Sequence, residues 1–170
     1  PSLQVTQYVD QGVGLTLKGY QYCSGTSMAA PVVAGAAALM IQVNPKLTPN
    51  LVKAILMYSA QPMAGYNVLE QGAGSLNVDG AIRITKLVKA TLPTKNGAAM
   101  LSAALPASQT STIAGQTVYW GKGVVTNFGF RRGDDLMNKW QNIYAGGVLI
   151  GDGTPFSGSA ITRSSTSLLG

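Results

Sequence analysis

Residues 24–35 read Ser-Gly-Thr-Ser-Met-Ala-Ala-Pro-Val-Val-Ala-Gly. They open an apolar run of mostly Ala, Val, Leu, Ile and Met, which predicts a helix over 28–43 that is buried on every side. Gly25 has no Cβ, so the backbone can turn sharply and a ligand can approach closely. Pro31 is expected within the first turn, where its missing N–H removes no intrahelical bond. Ser27 is then presented at the positive end of a helix, where backbone N–H groups can stabilise a developing oxyanion.

The composition limits the chemistry that this chain can perform alone. Of its 170 residues, 46% are hydrophobic and 11% charged, which suits one ordinary domain with a buried core. There is no histidine, so the commonest general base and the commonest metal ligand are both absent. The single cysteine, Cys23, is interpreted as a small, partly buried side chain beneath the active-site turn, in preference to a redox switch. A disulfide scaffold, a zinc module and a thiol oxidoreductase are excluded.

The net charge of +6 lies wholly in residues 81–170, because the first 80 residues are neutral. No basic run is longer than Arg131-Arg132, so the charge favours a solvated face and no nucleic-acid partner is expected. The apolar run from 28 to 41 has the length of a buried core helix, so no membrane span is expected. The chain opens without an initiator methionine or a basic segment before an apolar one, and thus without a recognisable signal peptide.

Further elements follow from local patterns. Short β-branched and aromatic runs broken by glycine predict strands, and Thr or Asn before an apolar stripe predicts capped helices. The three basic residues near the end of the last helix are interpreted as favourable partners of its dipole. These rules predict strands at 3–9 and 15–22, a helix from Thr48 to Ser59, and a helix from Asn77 to Lys89 that carries Arg83 and Lys86.

The character of the sequence changes after residue 90. Residues 91–117 are rich in Ala, Ser, Thr, Pro and Gly without a period, which favours a linker or surface-running segment. Aromatic and β-branched runs punctuated by glycine follow at 118–125 and 143–153, which predicts strands. Trp120 and Trp140 are expected in the core of this extension.

The stretch from Gly25 to Gly35 resembles the catalytic-serine signature of the subtilisin-like serine peptidases (subtilases), Gly-Thr-Ser-Met-Ala-x-Pro-x-Val-Ala-Gly, and matches every fixed position. The family's frequent histidine after the proline is Val32 here, but that position is not the catalytic base. Residues 47–56 resemble the next helix of the family, and residues 72–81 resemble its closing Gly-x-Gly-x-x-Asn segment.

The resemblance implies an α/β fold. Residues 1–90 are expected to form the C-terminal portion of a subtilisin-like catalytic domain, a three-layer α/β/α structure with a mainly parallel sheet. Residues 91–117 are the expected linker, and residues 118–170 a β-rich, Gly-containing C-terminal extension.

The resemblance also implies a serine endopeptidase. Ser27 would be the nucleophile that forms an acyl-enzyme, and its backbone N–H would be an oxyanion-hole donor. The family's Asp, His and oxyanion Asn precede its serine, yet the first 26 residues hold no His or Asn, and Asp10 is not assigned to the triad. The partner is therefore expected to be an N-terminal portion of the same peptidase that carries these residues, held as a separate chain after nicking or autoprocessing.

Other properties follow from the resemblance alone. Substrates are expected to be proteins or peptides, and the location secreted or at the cell surface. No cofactor is required for the chemistry, and no substrate-binding or metal-binding residue is assigned. Structural calcium is compatible with the family, but the only adjacent carboxylates, Asp134 and Asp135, favour a solvated turn.

Three alternatives remain open at the level of sequence. A sedolisin-like Ser-Glu-Asp peptidase would share the Ser-Gly-Thr-Ser stem and need no histidine. A catalytically inactive scaffold or binding protein would keep the helix only for packing. A third reading makes the basic tail a surface-adhesion or polyanion-binding module.

Overall fold

A computed structural model describes residues 25–126 and 129–144. The predicted strands at 3–9 and 15–22, Cys23, and everything from residue 145 onward lie outside the described residues. Residues 1–36 and 37–170 form two compact units. The described elements are helices α1 (Thr26–Val43), α2 (Pro49–Ser59), α3 (Val68–Gln71), α4 (Val78–Leu87) and α5 (Asp135–Asn138), strands β1 (Thr110–Ile113), β2 (Gln116–Tyr119), β3 (Gly123–Thr126) and β4 (Gly129–Arg132), and a 3₁₀ turn (Asn142–Tyr144).

The first half of α1 provides the described residues of the first unit. The predicted helix is confirmed, but its predicted burial is wrong for this chain, because residues 25–35 are all exposed. Val32 is 59% exposed and Met28 48%. The described residues of this unit all belong to one helix and its entry, so they cannot cover its apolar faces. Judged by length and composition alone, α1 is the one described helix that could cross a membrane, a test that core helices of soluble proteins also pass.

The second unit is built around one hydrophobic cluster. Helix α2 packs against α4 and against strand β3. The cluster draws on residues from both sides of the predicted linker at 91–117. Its largest buried members are Met40, Leu51, Ile55, Tyr58, Ile84, Met100, Trp120, Val124, Leu136, Met137, Trp140 and Tyr144. Trp120 and Trp140 are buried as predicted, but in this shared cluster and not in a core formed by the extension alone.

The helix starts follow the local chemistry of the sequence. Thr48 adopts an extended conformation, and its side chain accepts a hydrogen bond from the Leu51 N–H at 3.2 Å. Asn77 caps α4 in the same way, since its Oδ1 accepts from the Gly80 N–H at 3.0 Å. These bonds satisfy N–H groups that have no intrahelical acceptor. Both predicted caps are confirmed, and α2 ends at Ser59 as predicted.

Helix α4 ends at Leu87, two residues before the predicted Lys89. Val88 is extended and forms an isolated antiparallel bridge with Leu101. The Lys89 N–H donates to the Met100 carbonyl at 3.0 Å. Pairing with a distant segment thus replaces the last helical hydrogen bonds.

Arg83 was predicted to serve the dipole at the end of this helix. Its guanidinium instead donates to the Thr110 carbonyl at 2.6 Å and lies over the Trp120 ring, 5.1 Å from the centroid. It also pairs with Asp79 at 3.6 Å, one turn earlier. The side chain therefore joins α4 to Thr110, inside the predicted linker, and to Trp120, which follows it.

The described strands form two separate two-stranded antiparallel sheets. In the first, Thr110 pairs with Tyr119 and Ile113 with Gln116. The two turn residues, Ala114 and Gly115, both have positive φ, as a tight type I′ hairpin requires. In the second, Gly123 pairs with Arg132 and Thr126 with Gly129.

The described part of the chain thus has mixed α and β content, and the mainly parallel sheet expected from the resemblance is not within it. Residues 143 and 144, predicted to be in a strand, lie in the 3₁₀ turn, where the Tyr144 N–H donates to the Gln141 carbonyl at 2.9 Å. The predicted linker carries β1 and the first half of β2. The division of the chain into peptidase portion, linker and extension remains a prediction.

Gly74, between α2 and α4, lies at a position where the structure has no room for a side chain. Gln61 and Ser75 exchange backbone hydrogen bonds of 2.9 and 2.8 Å, and Gly74 lies beside this bridge with φ +122°. A Cβ at position 74 would lie 2.2 Å from the Gln61 carbonyl oxygen and 2.5 Å from its carbon. Both contacts are with backbone, which cannot rotate away.

We expect Gly74→Ala to lower the free energy of unfolding by about 3 kcal/mol, because backbone strain and a clash add together. Urea unfolding followed by far-UV circular dichroism measures this loss. Gly115→Ala is the matched control, since its φ is +79° but nothing lies within 4 Å of the added Cβ. It should cost about 1 kcal/mol. Equal losses in the two variants would contradict the role given to the clash.

Candidate functional site

Gly25 sets the direction in which α1 begins. Its φ is +143°, a conformation that side-chain-bearing residues rarely adopt. Its carbonyl accepts hydrogen bonds from the N–H groups of Met28 at 3.0 Å and Ala29 at 3.2 Å. A Cβ here would meet nothing within 4 Å among the described surroundings. Backbone conformation, more than space, therefore accounts for the glycine.

Ser27 is the second residue of α1 and is exposed. Its backbone N–H belongs to the first helical turn, where the helix offers no acceptor carbonyl. The partial positive charge of the helix N-terminus is concentrated at the same place. A hydroxyl nucleophile and an oxyanion donor can thus come from one residue, as the sequence predicted. Its catalytic role remains a prediction.

Pro31 lies deeper in the helix than predicted. It is the sixth residue of α1, so its position is in the second turn. A residue at this position would normally donate its N–H to the carbonyl of Ser27, four residues earlier. Because proline has no N–H, the Ser27 carbonyl lacks that helical donor. The helix is therefore locally weakened directly after the candidate nucleophile.

The side chains of Asp134 and Asp135, the candidate calcium ligands, both interact with other side chains of this protein. Asp134 Oδ1 accepts from the Tyr58 hydroxyl at 2.8 Å and from Gln109 Nε2 at 3.3 Å. Asp135 pairs with Lys139 at 2.7 Å. Nowhere in residues 25–126 and 129–144 do three Cys, Asp or Glu side chains group as a metal site would require. These residues do not fit a calcium site, and no step is derived through one.

Two buried tyrosines titrate abnormally. Tyr58 is fully buried, and desolvation, followed by its hydrogen bond to the Asp134 carboxylate, raises its pKa far above the ordinary range. Burial likewise raises the pKa of Tyr144, whose hydroxyl donates to the Leu136 carbonyl at 2.7 Å. Both side chains are held as neutral hydrogen-bond donors.

These shifts predict a loss of stability in alkali. In the unfolded chain each tyrosine loses its proton near pH 10, whereas in the folded protein it keeps the proton to higher pH. Stability is therefore fully present below about pH 10 and falls as the pH rises towards the folded-state pKa, by about 1.4 kcal/mol per pH unit for each tyrosine. Urea unfolding at several pH values between 9 and 11 measures the slope.

Replacing one of the two tyrosines separates their contributions to the pH dependence of stability. Tyr58→Phe should remove about half of the alkaline slope. A slope that is the same in Tyr58→Phe as in the unmodified protein would show that Tyr58 does not retain its proton.

A comparison with known families decides the affiliation. Residues 5–100 match the model of the Subtilase family, a range that contains the serine stretch at 24–35 and the similar segments at 47–56 and 72–81. The chain belongs to the subtilase family. The resemblance drawn from the serine stretch is thereby confirmed. The match extends to residue 100, beyond the expected end of the peptidase portion at residue 90.

The relatives of this subtilase are proteases by name. It is 39% identical over 77 residues to "Serine protease AprX" of Bacillus subtilis, covering 44% of this chain and 17% of that protein. It is 40% identical over 74 residues to "Membrane-bound transcription factor site-1 protease" of Mus musculus, covering 42% of this chain and 7% of the other. It is 39% identical over 75 residues to "Minor extracellular protease Vpr" of Bacillus subtilis, covering 41% and 9%. The matched region is thus a small part of each relative, and no solved structure matches the chain.

Proposed function

We propose that this subtilase is a serine endopeptidase that uses Ser27 as its nucleophile. The observation that carries the proposal is an exposed serine in the first turn of α1, inside a complete signature and inside the family match. Ser27 Oγ attacks the carbonyl carbon of a peptide bond and gives its proton to a base. The amine leaves with that proton and an ester to Ser27 remains, which water then hydrolyses. The Ser27 N–H donates to the oxyanion in both steps.

The base comes from outside these 170 residues, which include no histidine. We propose that an N-terminal segment of the same peptidase, or a separate chain produced from it by nicking, supplies the His, the Asp and the oxyanion Asn. The exposed first half of α1 supports this arrangement. Met28, Val32 and Val33 are each more than 40% exposed, and large apolar side chains on a catalytic helix need a covering polypeptide.

The remaining properties are proposed on the strength of the family. Substrates are proteins or peptides, and the chemistry needs no cofactor. An extracellular or cell-surface location fits one relative whose name includes "extracellular". The match to the Subtilase family favours a histidine base over the glutamate of a sedolisin-like enzyme.

A fluorophosphonate probe tests the proposal. The protein is isolated with the polypeptides that accompany it, labelled, and analysed by denaturing mass spectrometry and peptide mapping. One adduct on the peptide that contains Ser27, together with a polypeptide segment that carries Asp and His, supports the peptidase. Absence of an adduct on Ser27 in a complete assembly would instead identify an inactive scaffold.

A further inference from the structure

Residues 101–144 follow the family match, yet they do not build a core of their own. Among the described residues of this segment, most large buried apolar side chains enter the cluster centred on α2 and α4, and Phe130 is the exception. We call residues 101–144 the strap. Its contributions to that cluster are Leu101, Trp120, Val124, Leu136, Met137, Trp140 and Tyr144, each at most 8% exposed.

The strap is hydrogen-bonded to the beginning of α2. The Thr48 hydroxyl donates to the Tyr144 carbonyl. The Asn50 side chain donates to the Ile143 carbonyl at 2.7 Å. Asn50 is itself only 3% exposed, so this hydrogen bond compensates for the loss of water at a buried amide. The residues at the start of α2 therefore also bind the C-terminal end of the strap.

The strap also completes the end of α2. The last carbonyls of a helix have no intrahelical donor. The Tyr58 carbonyl is one of these, and it accepts from the Lys122 N–H at 2.9 Å. The Ala60 carbonyl, at the helix cap, accepts from the Gly121 N–H at 2.7 Å. The strap therefore supplies backbone donors to two carbonyls that it also shields from water.

A third set of contacts joins the strap to α4. Ser111 Oγ accepts from Asn77 Nδ2 at 3.1 Å and from Trp120 Nε1 at 3.0 Å. Asn77 is the cap of α4, so its side chain serves the helix and the strap together. Arg83 adds the hydrogen bond to Thr110 and the contact with the Trp120 ring.

We infer that the strap is an obligatory part of the subtilase folding unit, seated on the face that α2 and α4 share. The helices that follow the nucleophile helix then unfold together with residues 101–144 and not independently of them. This revises the predicted boundary at 91–117, which would make the later residues a separate extension. It also means that the α2–α4 face is occupied by this chain and does not serve as a docking surface for another protein. The inference does not depend on the catalytic role of Ser27.

Hydrogen exchange with mass spectrometry, on the whole protein, tests the inference. Trp140→Ala removes a strap side chain that is 3% exposed. We expect amide protection to fall about 100-fold in α2 and α4 as well as in the strap, because a large cavity destabilises the whole cooperative unit. Tyr119→Ala, at a strap side chain that is 66% exposed, is the control and should leave protection unchanged.

A milder variant covers the case in which Trp140→Ala does not fold. Tyr144→Phe keeps the ring and removes the hydroxyl that donates to the Leu136 carbonyl. Protection should fall about tenfold, and equally in α2, α4 and the strap. If only residues 101–144 lose protection in either variant, while α2 and α4 keep theirs, the strap is a separable extension and the inference is wrong.

Discussion

The Ser27→Ala variant of the assembled peptidase is expected to cleave peptide substrates at least about 1,000-fold more slowly than the unmodified enzyme. Alanine removes the atom that forms the ester, so only direct attack by water on the bound substrate remains, assisted by the backbone oxyanion donor. The loss should appear in kcat, because the substitution leaves the binding surface nearly intact. Initial rates with a chromogenic peptide, measured over a range of substrate concentrations, separate kcat from KM.

The variant should fold normally. The Ser27 side chain is exposed, and alanine favours the helix that starts there. Ser108→Ala is a matched control, because Ser108 is also exposed and lies outside the family match. It should cleave at the normal rate and take up the fluorophosphonate normally. Activity of Ser27→Ala within tenfold of the unmodified enzyme would place the nucleophile elsewhere.

The backbone conformation around Ser27 could be predicted from the sequence because its signals are local. The position of Ser27 depends on Gly25 two residues earlier and on the helix that begins between them. The starts of α2 and α4 depend on Thr48 and Asn77, each bonded to an N–H three residues further on. Such short-range chemistry can be read from neighbouring residues in the chain.

The long-range contacts could not be predicted in the same way. The Tyr58 hydroxyl contacts Gln109 and Asp134, which are 51 and 76 residues away. Nothing in a local period identifies such partners: Asp134 is an exposed turn residue, as predicted, and its bond to Tyr58 is a further contact that the pattern does not indicate. The early end of α4 at Leu87 has the same origin, since Val88 pairs with Leu101. Residue patterns indicate which side chains are apolar, but not which distant segment covers them.

Helix α1 illustrates that limit most clearly. Its composition indicates burial on all sides, yet Leu39 and Ile41 are each 48% exposed in this chain. The pattern indicates the environment for which a sequence is suited, and the described residues, 25–126 and 129–144, do not supply that environment. Met40, which is fully buried, marks the position where the described core does reach the helix.

Trp120→Ala is expected to give the largest loss of stability among the core substitutions, about 3–5 kcal/mol of unfolding free energy. The side chain is 4% exposed and packs against α4. Its removal leaves a cavity and eliminates both the hydrogen bond to Ser111 and the aromatic ring over which Arg83 lies. Urea unfolding monitored by circular dichroism measures the loss. Tyr119→Ala, the exposed neighbour, should change the free energy of unfolding by less than about 0.5 kcal/mol.

Gly80 faces the same ring, so a substitution at Gly80 tests directly whether Trp120 packs against α4. A Cβ on Gly80 would lie 2.9 Å from two atoms of the Trp120 ring and 2.8 Å from Asn77 Nδ2. Gly80→Ala should therefore destabilise the unmodified protein by about 1–3 kcal/mol. In the Trp120→Ala background the ring contacts are gone, and the added methyl fills part of the cavity, so Gly80→Ala should cost at least about 1 kcal/mol less there. Additive losses in the double variant would mean that Trp120 and Gly80 do not pack against each other, and that the strap does not rest on α4 at this point.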